Sequence, residues 1–467
     1  MYRAAPGNDS GETCRRAFHA RSTLQLAEKT LQSRPMLRIS RSRRLGERGR
    51  RTGMLALAIL AGINLLNYLD RYVVSAVLPD LKRAPLGLTD SELGSLMSGF
   101  IIVYLLAAPI FGRLGDRGSR PKPIAVGVFL WSLATGLSGL ARNYLQLLGA
   151  RALVGVGEAA YGTIAPSLLA DFFEKRTRGR AFAIFNMAIP VGAALGFIVG
   201  GLVRQRFGWQ MAFFVAGVPG VLLALWILRI PDPPRGAKDE QDIEAPAPAS
   251  AAPPGSWSVY SSLLRQRPYV LTVLGYAAYT FALGGLAYWM PTFLERVRGI
   301  SAGEASTGFG AIVVVTGFVG TFVGGWLGDY WLQFSRQAYL WMSGWATLLA
   351  VPACYVALAA GAPSVFYPAL IVAELLLFMS TGPINTAIVN LVSPMERASA
   401  VALSIFTIHL LGDALSPWMI GKLSDLSSLG MAVLIVPVAV AICAILWFVA
   451  ARVGGGSAGS SAAATTC

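Results

Sequence analysis

From Met54 onward the chain is a succession of apolar runs, each long enough to cross a bilayer, which takes about 20 residues of helix. Twelve are counted, over 54–79, 93–114, 123–141, 145–170, 178–203, 209–229, 269–291, 304–328, 338–359, 364–392, 398–421 and 430–451. A chain of 467 residues that is 55% hydrophobic and 13% charged, with mean hydropathy +0.57, is too apolar for an ordinary soluble enzyme of its length. The fold class that follows is an all-α integral membrane protein of twelve transmembrane helices.

The formal net charge of +15 raises nucleic acid as a partner, but no soluble domain offers a basic face interleaved with aromatics. The cations instead sort by loop. Arg113, Arg117, Arg120 and Lys122, then Lys175, Arg176, Arg178 and Arg180, then Arg265 and Arg267 fall on alternate connections. The intervening loops keep few, mainly Lys82, Arg83, Arg142, Arg204, Arg206, Arg296 and Arg298. By the positive-inside rule both termini are expected in the cytoplasm of a cell-membrane protein. Cys14, Cys354, Cys443 and Cys467 are scattered, so neither a disulfide framework nor a zinc site is implied.

Residues 1–53 are rich in Arg and Ser, poor in acids and without the apolar core of a secretory signal. The readings are a disordered cytoplasmic arm, an upstream start with Met36 or Met54 as the true one, or a transit peptide, which a bacterial source would make moot. The Ala, Gly and Arg-rich character of the chain points to a bacterial source and an inner membrane. A six-helix half over 54–230 is followed by a Pro, Ala and charge-rich linker, 231–268, whose end from Trp257 to Arg267 reads as an amphipathic surface helix. A second six-helix half occupies 269–452, and a disordered tail is expected over 453–467.

The halves repeat each other. Gly112-Arg-Leu-Gly-Asp116 ends the second run and Gly325-Trp-Leu-Gly-Asp329 the eighth; Glu92 precedes the first copy as Glu304 precedes the second. Leu78-Pro79 and Met290-Pro291 close the first and seventh runs alike. Two related six-helix halves form the parallel-repeat plan of a transporter whose site lies between them near the midplane.

Charges inside the apolar runs are the candidates for function, because they are expensive there and need a cavity or a partner. Asn67-Tyr68-Leu69-Asp70-Arg71 puts a carboxylate and a guanidinium in the first run. Asp70 lies roughly 24 Å along the axis from Met54, inside a core about 30 Å thick. Arg71 is open to two readings, a cavity residue or a side chain snorkelling to water. Arg151 and Glu158, seven apart on the fourth run, share a face about 10.5 Å in extent, with Arg151 near the depth of Asp70. An Asp70–Arg151 pair with Glu158 deeper on that face makes a proton relay, since removing the cation changes the carboxylate's affinity for a proton; a static buried pair is the plainer reading. In the second half the intramembrane charges are Glu374, His409 and Asp413.

The loop Gly112-Arg-Leu-Gly-Asp-Arg-Gly-Ser-Arg-Pro-Lys122 resembles the signature between helices 2 and 3 of the major facilitator superfamily, and Arg151-Ala-Leu-Val-Gly-Val-Gly157 its helix 4 signature. Ser119 stands where the general pattern has Gly. Asn67-Tyr-Leu-Asp-Arg71, Gly155-Val-Gly-Glu158 with Ala165-Pro166 and Asp171, and Gly412-Asp-Ala-Leu-Ser-Pro417 resemble the Spinster-like branch, whose animal members are associated with sphingosine phosphate export and with lysophospholipids. The resemblance implies the major facilitator fold and a secondary transporter of an amphipathic or lipid-like molecule, with a small organic anion or drug-like metabolite as the alternative substrate. It implies proton coupling through Asp70, Arg151 and Glu158. A cavity would involve Asn67, Arg71, Tyr161, Tyr276, Tyr279, Glu374 and His409; Tyr276 and Tyr279 equally read as ordinary core or an interfacial belt, and His409 as a hydrogen-bonded structural histidine. A cytoplasmic gate would use Gly112, Gly115, Asp116, Arg117, Arg120, Asp329 and Asp413.

No Gly-x4-Gly-Lys-Ser/Thr loop, nucleophile elbow or His and Cys cluster occurs in the sequence. The expectation is therefore a monomeric, non-enzymatic carrier that uses a proton gradient and no cofactor; a non-transporting membrane lipid receptor or enzyme is the rival class.

Overall fold

The computed structural model describes residues 35–83, 85–236, 257–393 and 396–463, and among them every regular element is a helix. By internal contacts the chain divides into a unit of residues 1–55 and a unit of residues 56–467, and the contacts below all lie in the second. The first half holds α1 (Pro35–Lys82), α2 (Asp90–Arg117), α3 (Pro121–Ser138), α4 (Tyr144–Ala170), α5 (Lys175–Phe207) and α6 (Trp209–Ile227). A short α7 (Trp257–Arg265) precedes α8 (Arg267–Arg296), α9 (Ala302–Trp331), α10 (Ala338–Ala359), α11 (Pro363–Phe378) and α12 (Thr381–Asn390). Then come α13 (Arg397–Ile408), a wide turn over His409–Asp413, α14 (Ser416–Leu426), α15 (Leu429–Ala432) and α16 (Ile435–Ala463).

Eleven spans among the described residues are long and apolar enough to cross a membrane, not twelve. The one that falls short is α3, because Pro121, Lys122 and Pro123 take up the start of a helix only 18 residues long. It packs between α4 and α6 all the same, and so holds the place of a spanning helix in the bundle. The tenth run is split at Ser380 into α11 and α12, and the eleventh is interrupted at His409. The arm expected to be disordered is helical from Pro35, and the tail is helical as far as Ala463. Residues 1–34, 237–256 and 464–467 of the expected arm, linker and tail lie outside the described residues. Pro35 stands at the first position of α1, where its missing N–H costs nothing; helix propensity does not explain the extension through Gly454-Gly455-Gly456.

The two halves repeat in packing as they do in sequence. In the first, α2 and α3 each pack on α4, and α3 packs on α6; in the second, α9 and α10 each pack on α11, and α10 packs on α16. The repeated acids have a local cause. Thr89 Oγ1 accepts the Glu92 amide at 3.2 Å while Glu92 receives the Thr89 amide at 2.9 Å, a reciprocal cap on α2. Ser301 accepts the Glu304 amide at the start of α9 in the same way.

Close approach rests on small residues. A methyl group at Gly192, Gly196 or Gly200 of α5 would meet Leu65 O at 2.4 Å, Leu69 O at 2.6 Å or the Ala76 methyl at 2.9 Å, so α5 lies directly against the backbone of α1. Between halves, α5 packs on α9 and α2 on α14. The second contact is equally tight, with Gly94 against Pro417 O and Gly421 against Asp90 O.

Candidate functional site

Helices α1 and α4 are tied by two buried ion pairs. Arg151 Nη1 lies 3.2 Å from Asp70 Oδ1, and the other carboxylate oxygen accepts the Thr135 hydroxyl at 2.7 Å. Both side chains of that pair are at most 2% exposed. Arg71 Nη2 donates to Glu158 Oε2 at 2.7 Å, with Glu158 fully buried and Arg71 14% exposed. The depth arithmetic thus brings Asp70 and Arg151 together, whereas Glu158 is held by Arg71 rather than sharing Arg151. Thr135, on α3, is a partner that sequence alone did not single out.

Arg71 does not snorkel. Its guanidinium carbon sits 4.9 Å from the Tyr68 ring centre, 5.0 Å from Phe100 and 5.8 Å from Tyr104. Against it opens a cavity of about 360 Å³ walled by α1, α2, α4 and α5, with Ile405 and His409 of the second half on the far side. Asn67, Arg71, Glu158, Tyr161 and His409 line it, as do Asn64 and Asn186. Tyr161 and Asn64 are fixed by backbone carbonyls, Tyr161 donating to Leu60 O at 2.7 Å and Asn64 to Phe185 O at 3.0 Å.

Three expected cavity residues lie elsewhere. Tyr279 is spent on Leu377 O near the end of α11 and on Thr381 at the start of α12, and Tyr276 accepts the Asn385 amide at 3.2 Å. Glu374 is buried on α11 and does not line the cavity. Both tyrosine hydroxyls thus find partners inside their own half.

His409 and Asp413 face each other across the wide turn of the eleventh span, with Nδ1 3.0 Å from both carboxylate oxygens. A turn of this kind frees a carbonyl from the helix ladder; Ile408 O accepts the Thr280 hydroxyl of α8 at 3.0 Å.

The expected gate is not assembled across the halves. Asp116 and Arg117 are exposed, Gly112 faces open space, and Gly115 packs α2 on Ile164 of α4. Arg120 is buried as a clip within the first half. It donates to Asp171 at 2.5 Å, to Asp232 through Nε at 2.8 Å, and to Pro233 O at 2.6 Å. Arg235 donates in turn to Gly115 O and Gly118 O, so the chain leaving α6 is strapped to the signature loop. Asp329 accepts the Tyr339 hydroxyl at 2.7 Å within its own half, and Asp413 belongs to His409.

Charges do cross between the halves at the opposite end, where α1 leads into α2. Asp90 is held by Lys82 at 2.7 Å, by both terminal nitrogens of Arg296 at 2.8 and 3.1 Å, and by Ser424 at 2.5 Å. Asp425 accepts the Asp90 and Ser91 amides at 2.9 and 2.8 Å, capping α2 from the other half. Glu295 bridges Arg83 at 3.0 Å and Arg204 at 2.6 Å, and Arg204 also reaches Asp80 at 3.0 Å. From sequence Lys82, Arg83, Arg204 and Arg296 counted only as loop cations, and Asp80, Asp90, Glu295, Ser424 and Asp425 were not singled out; acids flanking apolar runs on opposite halves were the available signal.

The profile of the Major Facilitator Superfamily matches residues 60–417. Protein spinster homolog 1 of Homo sapiens is 37% identical over 392 residues, 79% of this chain and 73% of the relative. The chain belongs to the Spinster branch of that superfamily. The Sphingosine-1-phosphate transporter SPNS2 of Mus musculus is 38% identical over 392 residues, 79% of this chain and 69% of its own. Among solved structures, a bacterial homolog to the human lysosomal transporter Spinster, in an inward-facing and unoccupied conformation, superposes with a TM-score of 0.76 at 24% identity. That match covers 86% of this chain and 97% of the other, and supports the fold. This Spinster-type chain is thus a multi-pass membrane transporter of a small molecule or lipid.

Proposed function

We propose that this Spinster-type protein is a proton-coupled secondary transporter that moves an amphipathic, lipid-like molecule by alternating access, and performs no chemistry on it. The observation that carries the reading is the pair of ion pairs buried between α1 and α4, with Arg71–Glu158 lining the cavity and Asp70–Arg151 packed behind it. Ionisable groups at that depth default to ion or substrate pathways. A proton arriving on Asp70 or Glu158 removes half of a pair and frees a guanidinium, which supplies the differential interaction a conformational change requires.

Alternating access is supported by the asymmetry of the two ends. Charges lock the halves at the α1–α2 end, while the α2–α3 end carries Asp116 and Arg117 exposed. With the Arg-rich loops placed in the cytoplasm, as are both termini, the arrangement corresponds to an inward-facing carrier.

The mouse relative's name makes sphingosine 1-phosphate the first amphiphile to test. A cavity of about 360 Å³, near the lower end of the usual range for ligand sites, holds a polar head beside Arg71 with the tail beyond it. That size equally suits a small organic anion occupying the whole cavity, which is the second reading. A thermal-shift panel of sphingosine 1-phosphate, lysophospholipids and small carboxylates separates them. Stabilisation by the amphiphiles supports the first; stabilisation confined to small hydrophilic anions supports the second. In proteoliposomes, uptake or efflux indifferent to an imposed proton gradient removes the coupling.

A further inference from the structure

Among the described residues, four buried guanidinium and carboxylate atoms of the two pairs have no hydrogen-bond partner: Arg71 Nε, Arg151 Nε, Arg151 Nη2 and Glu158 Oε1. For the three nitrogens the nearby alternative to oxygen is aromatic. The Phe100 ring centre lies 5.0 Å from the guanidinium carbon of Arg71 and 5.5 Å from that of Arg151. Phe100 is fully buried on α2. Its backbone is clamped to α4, because a methyl group on Gly155 would stand 2.5 Å from Phe100 O. One ring therefore lies within cation–π range of both cations, one from each pair.

We propose that Phe100 is a positioning residue, the common seat on which Arg71 and Arg151 rest, through which a change in one ion pair is felt by the other. Arg71 has two further aromatic neighbours, Tyr68 and Tyr104, whereas among the described residues Phe100 is the one ring within this range of Arg151. When Arg151 loses Asp70 as a counter-ion it leans on the ring or leaves it, and the potential that Arg71 meets at the same ring alters. Two pairs on adjacent residues of α1 then respond together rather than in turn. The inference builds on the reading of the pairs as coupling machinery, but its test needs neither substrate nor gradient.

The test is a set of double-mutant cycles on the melting temperature of the purified full chain. Phe100→Leu removes the ring and keeps an apolar side chain; it is measured alone and with Arg71→Gln or Arg151→Gln. The expected result is a loss smaller by about 2 °C or more in each arginine variant than in the wild type, with Phe100→Tyr close to wild type. An equal loss in all three backgrounds means the ring only fills space, and coupling to one arginine alone means no shared seat; either overturns the proposal. Should Phe100→Leu fail to fold, Phe100→Met replaces it. If neither folds while Phe100→Tyr does, the ring acts as packing and the proposal fails. A carrier that shows both couplings yet ignores a proton gradient keeps the seat and loses the coupling reading; the converse result does the reverse.

Discussion

Arg71 Nη2 stands 2.7 Å from Glu158 Oε2, so the consecutive charges Asp70 and Arg71 of α1 are answered by residues seven apart on α4, cation against acid and acid against cation. The order of charges is reversed between the two helices, and each guanidinium has its own carboxylate. Neutralising any one member leaves a specific partner uncompensated at a depth where that is costly.

Arg151→Gln should therefore destabilise the protein through the buried Asp70 carboxylate, by about 3 to 5 kcal/mol for a pair broken on one side. The double variant Asp70→Asn with Arg151→Gln is expected to melt above Arg151→Gln alone, because no buried charge is left unpaired. Its transport should be no worse than that of either single variant, since a shared function is lost once. Melting curves and proteoliposome flux on the same preparations check both statements.

Glu158→Gln keeps the shape and one acceptor for Arg71 but removes the charge. Net gradient-driven flux should fall by more than about tenfold, an energetic change of about 1.4 kcal/mol or more, while substrate exchange without a gradient persists. Equal losses of both fluxes would place Glu158 in substrate binding instead.

The Asp70–Arg151 contact was legible because helix rise converts sequence position into depth, and the two residues came out level. Arg71–Glu158 was not, because the seven-residue spacing assigns Glu158 to the face of Arg151, whereas the long Arg71 side chain reaches around α1 toward it. The charged lock was hidden for another reason: Asp90 meets Arg296 across 206 positions and Asp425 across 335, and no periodicity links helix ends in different halves. The helical repeat and the fold class were plain from the apolar runs; α3 fell short only through its prolines and Lys122.

Releasing the lock should shift the carrier toward the outward-open arrangement. Asp425→Ala removes the other half's cap on α2, leaving the Thr89–Glu92 cap in place, and Gly421→Ala pushes a methyl group onto Asp90 O, which stands 2.1 Å from that position. In a background with the four cysteines replaced, Asn67→Cys reports access to the cavity. Labelling from outside by a membrane-impermeant maleimide should rise about tenfold or more, the change that accompanies loss of about 1.4 kcal/mol. Unchanged labelling in both variants would show that these contacts do not hold the halves together.

Arg120 and Asp116 are neighbours in the signature loop with opposite expected behaviour. Arg120→Gln leaves Asp171 and Asp232 facing each other without their cation, and the melting temperature should fall clearly. Asp116→Asn, on an exposed side chain, should change stability by no more than about 0.5 kcal/mol. A transport defect in Asp116→Asn at full stability would assign that residue a contact made in the other conformation of the cycle.

The most direct measurement is gradient-driven flux of sphingosine 1-phosphate, or of whichever amphiphile the thermal-shift panel selects, through wild type and Asp70→Asn in proteoliposomes. For one proton per substrate, a gradient of about one pH unit should displace the wild-type substrate distribution by up to about tenfold. Asp70→Asn, monodisperse and correctly inserted, should show no displacement, because Asn keeps the volume and some hydrogen bonding but cannot titrate. An Asp70→Asn protein that responds to the gradient as the wild type does would contradict the account.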